Sequence, residues 1–189
     1  MRIDLNQLWG STVLAGAVHG RKLLTRLLET SANEPEGPTP LFLDFSRIEF
    51  AAASFLRESI LAFRNVIRGR RSRFYPVIAN ANEAVRDELL ELVHARGDVL
   101  MTCKLDEAGH VSEAVLLGDL DPKQRMTFDL VRKRGETDAS ELMQSHGKSE
   151  GITNQTAWNN RLSALTALGL VVEISLGRSK RYKPLFQRT

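Results

Sequence analysis

The run N-Q-T-A-W-N-N-R, residues 154–161, gathers Asn154, Gln155, Asn159, Asn160 and Arg161 within eight positions. In a DNA major groove carboxamides can bond adenine in pairs and a guanidinium can do the same with guanine, each good pair discriminating by about 1–3 kcal/mol. Trp158, Leu162, Leu165 and Leu168 follow one another at spacings of four, three and three, which puts them on one face of a helix. Gly169, able to take positive φ, is the expected stop. The spacing therefore predicts a helix with its apolar side turned inward and its amides turned outward. Two plainer roles stay open: Asn154 as the helix cap, and the other amides as a solvated face. Trp158 reads as core because Leu162 lies one turn on. Arg161 can reach either phosphate or guanine.

That helix must be held by its neighbours. Val171 to Ile174 and Arg181 to Leu185 can pair as a hairpin across Leu176-Gly177-Arg178-Ser179. The last thirteen residues, from Gly177, carry Arg178, Lys180, Arg181, Lys183 and Arg188 and no acid. Arg178, Lys180, Arg181 and Lys183 are the expected phosphate contacts, together with helix N-termini. Neutralising four phosphates gives a log–log salt slope of about −3.6. Upstream, Asp121 and Pro122 open a helix that supplies Met126, Phe128, Leu130 and Val131 and closes at Gly135. Asp138 caps a short helix, and residues 147–151 turn into the amide-bearing one.

Three helices followed by a basic hairpin resemble the winged helix-turn-helix units of MarR- and ArsR-type bacterial regulators. The likeness covers residues 121–185 and rests on Leu162, Leu165, Leu168, Gly169, Leu170 and Val171 before the hairpin. It implies a DNA-binding transcriptional regulator whose partner is duplex DNA. One such unit buries modest area, so a homodimer on paired half-sites is expected.

Residues 1–119 read differently. Strand-like runs (Met1–Leu5, Ser11–Leu14, Leu41–Phe45, Ile48–Phe50, Phe74–Ala79, Val99–Lys104, Val111–Leu117) alternate with three amphipathic helices starting near Gly20, Ser54 and Glu83. Such alternation implies a small α/β sheet unit. Ser11–Leu14 is expected to form a hairpin with the N-terminal strand. Pro76 is expected at the start of its strand or on a sheet edge. Asp44, at the end of a buried strand, should hydrogen-bond a neighbouring turn. Arg68, Arg70, Arg71 and Arg73 crowd a helix C-terminus, where cations are favoured whether or not an anion binds. The stretch LFLDFSRIEFAAASFLRESI, residues 41–60, with Asn80 after the next strand, resembles a STAS-like domain, the anti-sigma-factor-antagonist fold. The resemblance implies a protein-docking surface around Ser54 and Phe55, possible partners including a histidine-kinase-like ATPase. Where that family carries D-S-S-G this chain has Ala52, Ala53, Ser54 and Phe55, so Ser54 is expected to cap the helix rather than act as a phosphorylated switch.

The fold class expected is thus an α/β STAS-like domain, 1–119, followed by an α+β winged helix-turn-helix domain, 120–189. The net charge of +3 is unevenly shared: 14 Lys+Arg and 16 Asp+Glu in 1–119, against 12 and 7 in 120–189. Polyanion binding, if present, belongs to the second part. The chain has no phosphate loop and no G-x-G-x-x-G motif, its four histidines have no metal spacing, and Cys103 lies in a strand as a buried thiol. No catalytic residue, metal or cofactor is expected. No stretch nears the ~18 apolar residues of a membrane span, and a single cysteine fits a cytoplasmic protein. A rival reading is an adaptor or antagonist that docks a protein partner. A weaker third is a small-ligand sensor in 1–119.

Overall fold

The computed structural model describes residues 1–177 and 179–187, with the side chain of Leu176 left out. The chain is a mixed α/β protein that divides into two compact units, Met1–Asp119 and Leu120–Thr189. Among the described residues no helix is long and apolar enough to cross a membrane.

The first unit is built on a five-stranded sheet. Its strands β1 (Arg2–Asp4), β3 (Thr39–Asp44), β5 (Phe74–Ala79), β6 (Leu100–Leu105) and β7 (Val111–Leu117) lie in the order β1-β3-β5-β6-β7. The first four run parallel and β7 returns antiparallel. All six residues of β5 are buried, as a central parallel strand covered on both faces requires. Pro76 therefore sits mid-strand in the middle of the sheet, not at the start or edge that its missing N–H suggested. It is tolerated because β6 pairs with β5 only at Ile78 and Ala79, beyond the proline.

The expected N-terminal hairpin does not form. Asp4 accepts a hydrogen bond from the Gln7 amide at 2.9 Å and caps α1 (Leu5–Trp9), and Gly10, at φ 87°, closes it. The chain is thereby redirected. β2 (Val13–Leu14) pairs parallel with β4 (Phe50–Ala51) in a separate two-stranded ribbon.

Helix α2 (Ala17–Thr30) packs against a long helical run of α3 (Ala53–Leu56), a π-helical turn (Arg57–Leu61) and α4 (Ala62–Gly69). A Cβ on Gly20 would lie 2.7 Å from the Phe55 carbonyl oxygen, so only glycine permits this crossing. The buried Ser59 hydroxyl donates to that same oxygen at 2.7 Å. Ser54 is not the cap. The run begins at Ala53, with Ala52, two residues before Ser54, at the cap position and no side-chain cap bond. Arg68 at the end of α4, and Arg70 and Arg73 after it, bond their own chain. Arg68 donates to the carbonyls of Ser72 and Phe74 and lies over Tyr75, while Arg73 donates to those of Pro35 and Glu36. Arg70 bonds the Ser31 carbonyl and pairs with Glu34, so Arg70 and Arg73 together pin the proline-rich loop. Asn82 caps α5 (Glu83–His94), accepting from the Val85 amide.

The second unit has three helices, α6 (Pro122–Arg134), α7 (Ala139–His146) and α8 (Gln155–Ala167), then a hairpin of β8 (Val171–Leu176) and β9 (Ser179–Pro184). Asp121, Asp138 and Asn154 cap the helices in turn. Thr137, between α6 and α7, bridges antiparallel to Tyr182 of β9, with N–H to carbonyl distances of 3.0 and 2.8 Å. The hairpin is longer and its turn tighter than expected. Phe128, Val131, Leu142, Trp158, Leu162, Leu165, Leu170 and Tyr182 are all buried within this unit.

Candidate nucleic-acid interface

Helix α8 is anchored through Trp158, Leu162 and Leu165, each fully buried. Its opposite side exposes Gln155, Thr156, Asn159 and Asn160. No side chain of these four makes a hydrogen bond with any described residue. Their donors and acceptors are therefore free to meet a ligand.

Asn154 and Arg161 do not join that face. The Asn154 carboxamide oxygen accepts from the Ala157 amide at 3.3 Å, so its plainer role as cap is realised. Arg161 lies two residues beyond Asn159, about 200° round the helix. It is half-buried, with its guanidinium 5.0 Å from the Trp158 ring centroid. Its Nη1 and the Trp158 Nε1 are buried without a hydrogen-bond partner among the described residues. Arg161 thus covers the core tryptophan and is withdrawn as a base contact.

The hairpin departs most from expectation. Arg181 donates to Glu136 at 2.9 Å, Asp138 at 2.9 Å and Glu141 at 2.6 Å. Lys183 pairs with Glu136 and Lys180 with Glu173, both at 2.8 Å. Three cations therefore lie among four carboxylates of the same unit, and the hairpin presents no net positive surface through them. These bonds raise the Arg181 pKa and hold Glu136 and Glu141 below the usual carboxylate range: for Glu136 the bond from Lys183 is the largest cause, for Glu141 that from Arg181. Arg181, with 23% of its side chain exposed, is a structural clamp rather than a phosphate contact. Lys180 and Lys183 are 49% and 42% exposed, so water screens their pairs and a phosphate can compete for them. Arg178 lies outside the described residues.

Between α8, the start of α7 and β9 is an open cleft of about 480 Å³, lined by Asp138, Ser140, Gln155, Asn159, Lys180 and Tyr182 among others. The structure thus brings Gln155 and Asn159 together with Lys180. Tyr182 bonds Ser163 and Glu173 at the inner wall, and burial raises its pKa. Sequence reasoning missed Ser140, Ser163, Tyr182 and the acids around Arg181. Nothing in the local sequence pattern pointed to them, because the Thr137–Tyr182 bridge that brings β9 beside the start of α7 joins segments far apart in the chain.

In the first unit the docking pair expected at Ser54 and Phe55 does not present a surface. Phe55 is fully buried and meets Trp9 edge-on at a centroid distance of 5.6 Å, and Ser54 is half-buried. The polar groups at the C-terminal ends of the parallel strands satisfy one another. Asp44 accepts from Arg2 at 2.6 and 2.9 Å, from Asn80 at 2.9 Å, and from the amide and hydroxyl of Ser46 at 3.0 Å. Asn80, at φ 57°, also exchanges hydrogen bonds with the backbone of Leu105. Burial alone would raise the Asp44 carboxyl, but the bonds from Arg2, Asn80 and Ser46 outweigh it and hold it below the usual range. Burial, then the nearby Asp44 charge, pushes the Cys103 thiol up to about 11, so it stays protonated near neutrality. Compared with known proteins, the chain matches no family model and no curated sequence.

Proposed function

We propose that the second unit is a winged helix-turn-helix that binds duplex DNA, with α8 reading base edges, and that the chain is a transcriptional regulator. The first unit, with its STAS-like sequence pattern, serves dimerisation or partner control. One observation carries the DNA reading: Gln155, Thr156, Asn159 and Asn160 stand exposed and unpartnered on a helix whose other side is fully buried. The order of three helices, with a bridging residue before the second and a hairpin after the third, supports the winged-helix reading.

The hairpin's role is smaller than the sequence suggested. With Arg181 held by three carboxylates, at most Arg178, Lys180 and Lys183 of the expected contacts reach phosphate, for a salt slope of about −2.7 or shallower. Fluorescence anisotropy with a labelled duplex library at low salt tests the reading. Binding is expected with that slope. Joint replacement of Gln155, Asn159 and Asn160 by alanine should erase the preference for selected over random sequence while leaving random-sequence affinity nearly unchanged. Absence of duplex binding at low salt would overturn it.

A second reading is favoured by the neutralised hairpin. A cleft of hydroxyls and amides with balanced charge suits an adaptor that docks a polypeptide, and the resemblance in residues 41–60 suits a kinase-like ATPase as partner. Co-purification with such a protein, in a chain that ignores DNA, is the outcome that favours it.

A further inference from the structure

The outer side of α6 carries a pattern that the DNA reading does not use. Pro122, Met126 and Leu130 lie one turn apart and, with Arg125, Asp129 and Lys133, line a shallow groove of about 480 Å³. Met126 and Leu130 are half-buried, while Arg125, Asp129 and Lys133 are exposed. Beside the apolar row, Asp121, Arg125, Asp129 and Lys133 recur every four residues with alternating sign. Arg125 and Asp129 are 3.8 Å apart along the helix; Asp121 and Lys133 make no ion pair with a described residue.

We propose that this face is the contact between two copies of the chain, α6 packing antiparallel on α6 of the second copy. Antiparallel apposition about Thr127 sets Asp121 opposite Lys133 and Arg125 opposite Asp129, each twice by symmetry. All four charged positions then meet the opposite sign, while the Met126 and Leu130 rows close over each other. A twofold axis requires such self-complementarity, because one patch must fit itself. An unlike acidic partner would match Arg125 and Lys133 but would meet Asp121 and Asp129 with like charge. The parallel arrangement sets each charge against its own sign and is excluded. Alternating charge also supports an isolated helix through neighbours four apart, but that role needs no apolar row beside it. A helix of thirteen residues is ~20 Å long, so the contact is small, and the dimer is concentration-dependent rather than obligate.

Sedimentation velocity of the full chain from about 1 to 200 µM reads this directly, the range spanning the weak affinities a small contact supports. A monomer–dimer equilibrium is expected that weakens with salt. Arg125→Asp alone, and Asp129→Arg alone, each replace two attractions with two repulsions and should weaken the dimer about tenfold. Combining the two substitutions restores complementarity and should recover most of the wild-type association. Circular dichroism confirms that each variant remains folded, and Met126→Gln serves as a second, charge-neutral probe that weakens association if α6 is the contact. A chain that stays monomeric at 200 µM, as it would if an unlike protein covers this face, overturns the proposal. So does a dimer indifferent to every variant, or a double variant no better than the singles. None of these readouts involves DNA, so failure of the DNA reading leaves the test intact.

Discussion

Asp44 and Asn159 mark opposite ways of using polar groups. At the C-terminal ends of β3 and β5, Asp44 and Asn80 are bonded to Arg2, Ser46 and Leu105 and have nothing left to offer. On α8, Gln155, Asn159 and Asn160 carry the same kinds of group with no partner among the described residues. The first arrangement stabilises the fold and the second leaves chemistry available. Arg181 stands between them: it lies in the charged hairpin but belongs, by its bonds, with Asp44.

The contrast can be broken at four places. Trp158→Ala should have the largest effect, about 3–5 kcal/mol of stability lost from the second unit on chemical denaturation, because it empties the space beneath α8. Asp44→Ala should cost about 3 kcal/mol in the first unit, since it strands the Arg2 and Asn80 donors. An effect on stability as small as that of the α8 amides would erase the distinction. The Asp44 carboxyl is held low in the folded chain, so its contribution is present above the unfolded carboxyl value of ~3.9 and is lost as pH falls through the folded value. The difference between wild type and Asp44→Asn should therefore shrink in acid, which thermal melts across pH 2–6 would reveal. Arg181→Ala should cost about 1 kcal/mol after solvent screening, without weakening duplex binding. A large loss of binding at unchanged stability would return Arg181 to the phosphate contacts. Smallest of all, Gln155→Ala, Asn159→Ala and Asn160→Ala should each leave stability within about 0.5 kcal/mol of wild type.

Elements with strong local signals were legible in the sequence. The buried face of α8, the caps Asp121, Asp138 and Asn154, the β6–β7 hairpin and the bonding of Asp44 to the Ser46 turn all follow from periodicity or from a side chain's reach to its neighbours. What escaped depends on distant segments. Arg181 and Glu136 are 45 residues apart, and only the Thr137–Tyr182 bridge brings them together. The two-residue strands Val13–Leu14 and Phe50–Ala51 are too short to show an alternation, so their parallel pairing replaced the expected hairpin. Of the candidate site, the exposed amides were visible as one face of a period, whereas the fate of the hairpin cations was set by acids elsewhere in the chain.

The π-helical turn at Arg57–Leu61 gives its helical run one residue more than an α-repeat would hold. Everything downstream, including the core residues Phe63 and Ile67, is rotated by roughly 100° relative to an uninterrupted coil. Excising one residue from this turn should let the spiral heal into ordinary geometry with its far end still facing home. The same deletion in α8 would swing Leu162 and Leu165 outward. Length, not only composition, is thus tolerated in one spiral and forbidden in the other.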